Sequence, residues 1–211
     1  MAIQSWALAS LDDTKEFLKI TDDEDDELII RLINQASGFM ESFTARKLKT
    51  RDYSAATETD REDCWYDGDN RKRLFLRQWP VTSVTSPIEV SGASIAVAGV
   101  TDYYGSTGYI TYTRRGELFY DNGFDTGKQN VRVSYTAGYL TTSPEYYELS
   151  LLVMELVSLV QTQKDHMGYK SEKIGNYSYS LQDLKELSAK GDCSIMNPMG
   201  LLNRYRRKIT G

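Results

Sequence analysis

Few residues in this chain have the types and spacing that chemistry requires. Its 211 residues include one histidine, His166, and two cysteines, Cys64 and Cys193. A Ser-His-Asp or Cys-His centre would have to be built on His166. That residue lies in the glycine-flanked polar segment Lys164-Asp165-His166-Met167-Gly168, with no nucleophile signature such as G-x-S-x-G. It reads as a solvated loop histidine. The cysteines stand alone with no C-x-x-C, so neither a zinc site nor a disulfide framework is expected, and the chain should work in a reducing cytoplasm. Gly105-Ser106-Thr107-Gly108 precedes a strand pattern, opens no helix and lacks a lysine, so it is read as a turn and not a phosphate cradle. The acid run from Asp22 to Glu27 has no glycine turn and no terminal bidentate glutamate at calcium-loop spacing. Its carboxylates suit the positive end of a helix instead. No metal, no cofactor and no catalytic set are expected, which points to a structural or interaction protein.

One cluster remains, formed by Arg204, Arg206, Arg207 and Lys208. It could contact phosphate, dock on an acidic protein surface, or keep the tail soluble. The net charge of −5 argues against general nucleic-acid binding. Fifteen tyrosines are unusual, and tyrosine is favoured both in strands and at contact surfaces. The start Met-Ala-Ile-Gln-Ser-Trp shows no basic region followed by an apolar run, so no signal peptide is expected.

The elements that would carry such contacts are legible in the periodicity. From Leu149 to Val160 only Ser150, Glu155 and Ser158 are polar. At about 100° per residue, Leu149, Leu152, Val153, Leu156, Val157, Leu159 and Val160 share one broad side. Leu151 and Met154 fall on the polar side and are candidates for a subunit interface, or for burial under a loop of the same chain. Ser143-Pro144 with Glu145 is a helix start. The segment is too short for a bilayer, which needs about 20 apolar residues, so no membrane contact is expected. Ser10 can cap a short helix to about Leu18. Thr21-Asp22-Asp23-Glu24 has capping-box spacing, and Leu28, Leu32, Ala36, Phe39, Met40 and Phe43, widened by Ile29 and Ile33, recur as a helical stripe over about 24–44.

From about Arg51 to Gly138 the texture changes to short strand-like runs: Leu74 to Leu76, Val84 to Val90, Ile95 to Val97, Tyr109 to Thr113, Glu117 to Tyr120 and Val131 to Tyr135. Pro87 marks its run as an edge strand, and Asp121-Asn122-Gly123 has hairpin turn chemistry. The fold class expected is α+β: a helical bundle scaffold from residues 1–50 and 139–165, a small antiparallel β unit inserted at 51–138, and an extended tail at 166–211. A weak helix is expected over Leu181 to Lys190. The tail has too little apolar content for a core of its own, and such segments order on a partner.

Several stretches together resemble the head–tail connector (adaptor, or head-completion) family of tailed phages. They are LDDTKEFLKITDDEDDELIIRLINQASGFMESFTARKL at 11–48, LFLRQWPVTSVTSPIEV at 74–90, VRVSYTAGY at 131–139 followed by a proline-started helix, and SEKIGNYSYS at 171–180. The resemblance implies a non-enzymatic virion protein of the neck, assembled in the host cytoplasm as a twelve-fold homo-oligomeric ring beneath the portal protein. Such a ring extends the channel through which DNA passes without sequence-specific binding, and it offers a platform to the next neck protein. Many such proteins are monomers until they meet the portal. In such relatives the C-terminal tail reaches the portal. By position that assigns portal contact to Leu181, Leu184, Leu187, Met199, Leu201, Leu202, Arg204, Tyr205, Arg206, Arg207 and Lys208. A tail-completion or stopper-type neck protein is the alternative of similar outline.

Overall fold

A computed structural model describes residues 2–96, 108–165, 171–174, 177–180 and 198–206. The chain is of mixed α and antiparallel β type and divides into two compact units. One is Met1–Arg46 with Pro144–Gly211, the other Lys47–Ser143.

The first unit is built on α1 (Leu11–Leu18), α2 (Asp26–Thr44), α4 (Pro144–Asp165) and α5 (Pro198–Tyr205). Ser10 caps α1 as its sequence suggests, its Oγ accepting from the Asp13 backbone N–H at 3.1 Å. The expected capping box at Thr21 does not form. Helix α2 starts later, behind Asp25, and no side chain caps it. The acid run is used otherwise: Asp23 and Asp26 close on the Lys15 ammonium at 2.6 and 2.7 Å, tying the end of α1 to the start of α2. The paired carboxylates raise the Lys15 pKa and Lys15 lowers that of Asp23.

Helix α2 is rotated from the orientation its leucines suggest. Its buried face runs through Ile29, Ile33, Ser37, Met40 and Thr44. The segment Ala7-Leu8-Ala9 is buried, and Ser37 Oγ accepts from the Leu8 N–H at 3.0 Å. A side chain at Gly38 would meet the Trp6 ring at 3.5 Å. The N-terminal segment thus packs against a part of α2 about thirty positions later, and Leu28, Leu32, Ala36 and Phe43 are left half-buried on its shoulder, with Phe39 exposed.

The second unit contains two antiparallel sheets. The larger has the order β1 (Arg51–Tyr53), β8 (Gly127–Ala137), β4 (Val81–Val90) and β5 (Ala93–Ile95), with β2 (Trp65–Gly68) also pairing β8 beyond the end of β1. The smaller has the order β3 (Arg73–Phe75), β7 (Glu117–Tyr120) and β6 (Tyr109–Tyr112). Strand β8 alternates as its sequence predicts, with Val131, Val133, Tyr135 and Ala137 buried.

Two expectations are corrected here. Strand β4 is not an edge strand, because it pairs β8 on one side and β5 on the other. Pro87, which has no N–H to donate, falls where the pairing with β8 shifts register between Thr85 and Glu89. Nor does Asp121-Asn122-Gly123 close a hairpin. It carries the chain from β7 in one sheet to β8 in the other, with Gly123 at φ +81° and its N–H donating to Tyr120 O. The unit also holds the four-residue α3 (Arg61–Cys64) and a 3-10 turn at Thr113–Arg115. Strands β9 (Ser171–Ile174) and β10 (Tyr177–Ser180) form a separate two-stranded antiparallel hairpin.

Candidate assembly interface

Helix α4 organises the candidate site. Pro144 at its first position has no N–H to leave unpaired there. Leu149, Leu152, Val153 and Val157 are buried, as the helical projection requires, and Ser150 is buried too, although the projection sets it on the polar side. Leu156 and Leu159 are only half-buried, and Val160 is 47% exposed. Facing them across an open groove of about 230 Å³ are Leu32, Gln35, Ala36 and Phe39 of α2, with Phe39 44% exposed. The stripe read from the sequence as part of the α2 core is therefore one wall of an apolar groove that no other described residue covers. The rotation imposed by residues 6–9 is the reason.

The far side of α4 presents a second apolar feature. Leu151 and Met154 are half-buried, and Tyr147, one turn earlier, is 62% exposed. Glu155, next to Met154, is half-buried, and burial pushes its carboxyl pKa up. It has no ion pair or hydrogen bond among the described residues. Tyr146 is raised too, first by burial and then by the nearby Asp13 charge.

The basic end of the chain supplies α5. Leu202 is fully buried and Tyr205 nearly so. The Tyr205 hydroxyl donates to Glu148 of α4, and the Arg204 guanidinium pairs with the same carboxylate at 2.5 Å. Arg46 Nη1 donates to the Tyr205 carbonyl at 3.2 Å, and Arg206 lies over the Phe43 ring at 5.8 Å. Arg204 and Arg206 are exposed, and Leu201 is half-buried. Of the residues assigned to the portal by resemblance, Leu202 and Tyr205 are thus turned toward this chain's own helices. Met199 lies in α5, and Leu181, Leu184, Leu187, Arg207 and Lys208 lie outside the described residues. So do His166 and the expected helix over 181–190. Glu148, the counter-charge for α5, was missed because nothing nearby in sequence hints at a partner 57 positions on.

In the β unit, the guanidinium groups of Arg61 and Arg132 lie over the Trp65 ring at 4.6 and 4.1 Å. Each arginine also has an acidic neighbour, Glu58 and Glu89 respectively. The Tyr66 and Tyr135 hydroxyls meet at 3.3 Å over the Asp63 carbonyl, and burial pushes Tyr66 up to about 12. Cys64 is buried, and the loss of solvent, followed by Asp60 and Asp63, pushes its thiol up to about 12. Among the described residues no three His, Cys, Asp or Glu side chains are grouped to hold a metal ion. No described helix is long and apolar enough to cross a membrane.

Among the described residues the helical unit thus keeps open apolar surface beside a helix held by a salt bridge. The family model described as head completion protein matches residues 7–186, and the chain belongs to that family. Its role is that of a head–tail connector. Comparison with solved structures finds a chain in a structure described as the neck of an empty GTA particle computed with C6 symmetry. That chain is 16% identical, with 100% of this chain and 96% of that one covered at a TM-score of 0.49. No curated protein matches.

Proposed function

We propose that copies of this chain form a ring under the portal protein, with the helical unit as its scaffold. The ring extends the DNA channel and presents a platform to the next neck protein. Twelve copies is the number that the connector resemblance implies. The observation that carries this reading is the apolar surface left open on α2 and α4 of a chain that belongs to a head completion family. The net charge of −5 supports a channel role, because a wall of carboxylates repels phosphate and lets DNA slide without sequence-specific contact.

The tail makes the portal contact in this proposal. Leu202 and Tyr205 anchor α5 to its own helical unit, while Arg204 and Arg206 are exposed and Leu201 is half-buried. Together with Met199, Arg207 and Lys208, and with Leu181, Leu184 and Leu187 earlier in the tail, they form the portal-binding set. A chain ending at residue 180 is expected to lose portal binding in a pull-down while keeping its β unit folded. Unchanged portal binding by that chain would reject the role of the tail.

A further inference from the structure

The groove and the stripe on α4 lie on opposite sides of one helix. At about 100° per residue, Tyr147, Leu151 and Met154 fall within about 60° of one another, and the middle of the Leu156, Leu159 and Val160 group is about half a turn away. Among the described residues neither is fully covered, so each copy presents an apolar stripe and an apolar groove held on opposite sides of one helix.

We infer that the Tyr147–Leu151–Met154 stripe of one copy seats in the α2/α4 groove of the next, joining copies head to tail. This rests on the ring reading above and names the surfaces that would close it. The dimensions agree. The stripe has i, i+4, i+7 spacing, and the α2 wall of the groove, Leu32, Ala36 and Phe39, has the same spacing, so ridge and wall run in step as in helix-into-groove packing. Ala36 is the small residue midway along that wall, leaving room for a large side chain opposite. The charges agree as well. Arg31 stands next to Leu32 and is exposed, Glu155 stands next to Met154, and neither has an ion pair among the described residues. A desolvated carboxylate gains most from a cation delivered on contact. A different face meeting a different face is the geometry that closes a ring, and in a closed ring no copy keeps either surface bare.

The test places cysteines on both surfaces. In full-length protein carrying Cys193→Ser, with the buried Cys64 left in place, Ala36→Cys and Leu151→Cys are introduced singly and together. After assembly on portal and mild oxidation, the double variant should give a denaturing-gel ladder of dimers, trimers and larger species, and each single variant should remain monomeric. Covalent dimers from Leu151→Cys alone would show stripe meeting stripe and overturn the inference. So would an absence of cross-links in all three.

A second experiment does not depend on disulfide geometry. Met154→Asp leaves the groove intact, and Phe39→Asp leaves the stripe intact. Both positions are partly exposed, so the fold should hold. Each alone should reduce ring formation at least about tenfold, the effect of losing one central interface contact. Mixed together they should form one-to-one dimers and nothing larger. Normal rings from either variant would overturn this inference and leave the connector reading standing. Failure of the unmodified chain to form any ring on portal would instead remove both.

Discussion

Replacing Leu202 with alanine should release α5 without unfolding the rest of the chain. Leu202 is fully buried, whereas α5 as a whole spans only eight residues and has too few turns to persist alone. Leucine to alanine removes about three carbon groups at roughly 0.8 kcal/mol each, or about 2.5 kcal/mol before any cavity cost. At about 1.4 kcal/mol per tenfold, the undocked population of α5 should rise roughly 70-fold. Hydrogen exchange read by mass spectrometry across residues 198–206 is the direct assay. Amides there should lose protection by about that factor, while those of Ile29 to Met40 in α2 should slow or quicken by less than about threefold. The Tyr205 hydroxyl bond and the Arg204 pair with Glu148 set a floor, since both remain in the variant. Equal loss of protection in α2 and α5 would show that α5 is part of the core and not a detachable anchor. No change at all would mean Leu202 is not seated where its burial places it.

Lys15→Met should alter the pH dependence of stability at both ends. Asp23 is depressed in the fold, so its contribution is present above the usual carboxylate range and lost as pH falls through its folded value. Lys15 is raised, so its contribution is present below the usual lysine range and lost as pH rises through its folded value. Thermal melts across pH should therefore show wild type and variant furthest apart near pH 7, with the gap closing as pH falls below the usual aspartate value of about 3.9 and beginning to close on the alkaline side only once pH passes the usual lysine value of about 10.4. A gap that does not close in acid, or coincidence at pH 7, would count against the clamp. Gly138→Ala should destabilise the β unit by about 3 kcal/mol or more in urea titrations. Gly138 sits at φ +117°, and a Cβ there would lie 2.6 Å from the Lys49 carbonyl carbon and oxygen. Cys64 should resist iodoacetamide at pH 8 in the folded chain, because its thiol is buried and its pKa pushed up to about 12. Mass mapping that found it alkylated before unfolding would contradict that burial.

Local signals carried most of the element positions. Proline at the first turn of α4, serine before α1 and the alternation of Val131, Val133 and Tyr135 each depend on neighbours a few residues away, which a sequence displays. What escaped depends on distant partners. The rotation of α2 follows from the Leu8–Ser37 bond and the Trp6–Gly38 approach, and neither residue announces the other. Two sheets in place of one arise because β7 finds β3, from more than forty positions earlier, so that Asp121–Gly123 becomes a crossover. Strand β4 looked like an edge because proline cannot donate to a ladder, yet a register shift absorbs that defect inside the sheet. Within the candidate site, Leu151 and Met154 stood out because they break the polar side of α4. The groove opposite them could not be anticipated, because Leu32, Ala36 and Phe39 have the spacing of core residues.

The central claim is that this chain joins to the portal as a ring, and electron microscopy of purified chain mixed with its portal tests it most directly. The account predicts a closed ring of copies stacked coaxially on the portal, with the channel continuous through both. Portal particles that remain bare at saturating chain, with the chain alone in solution as single molecules, would contradict it.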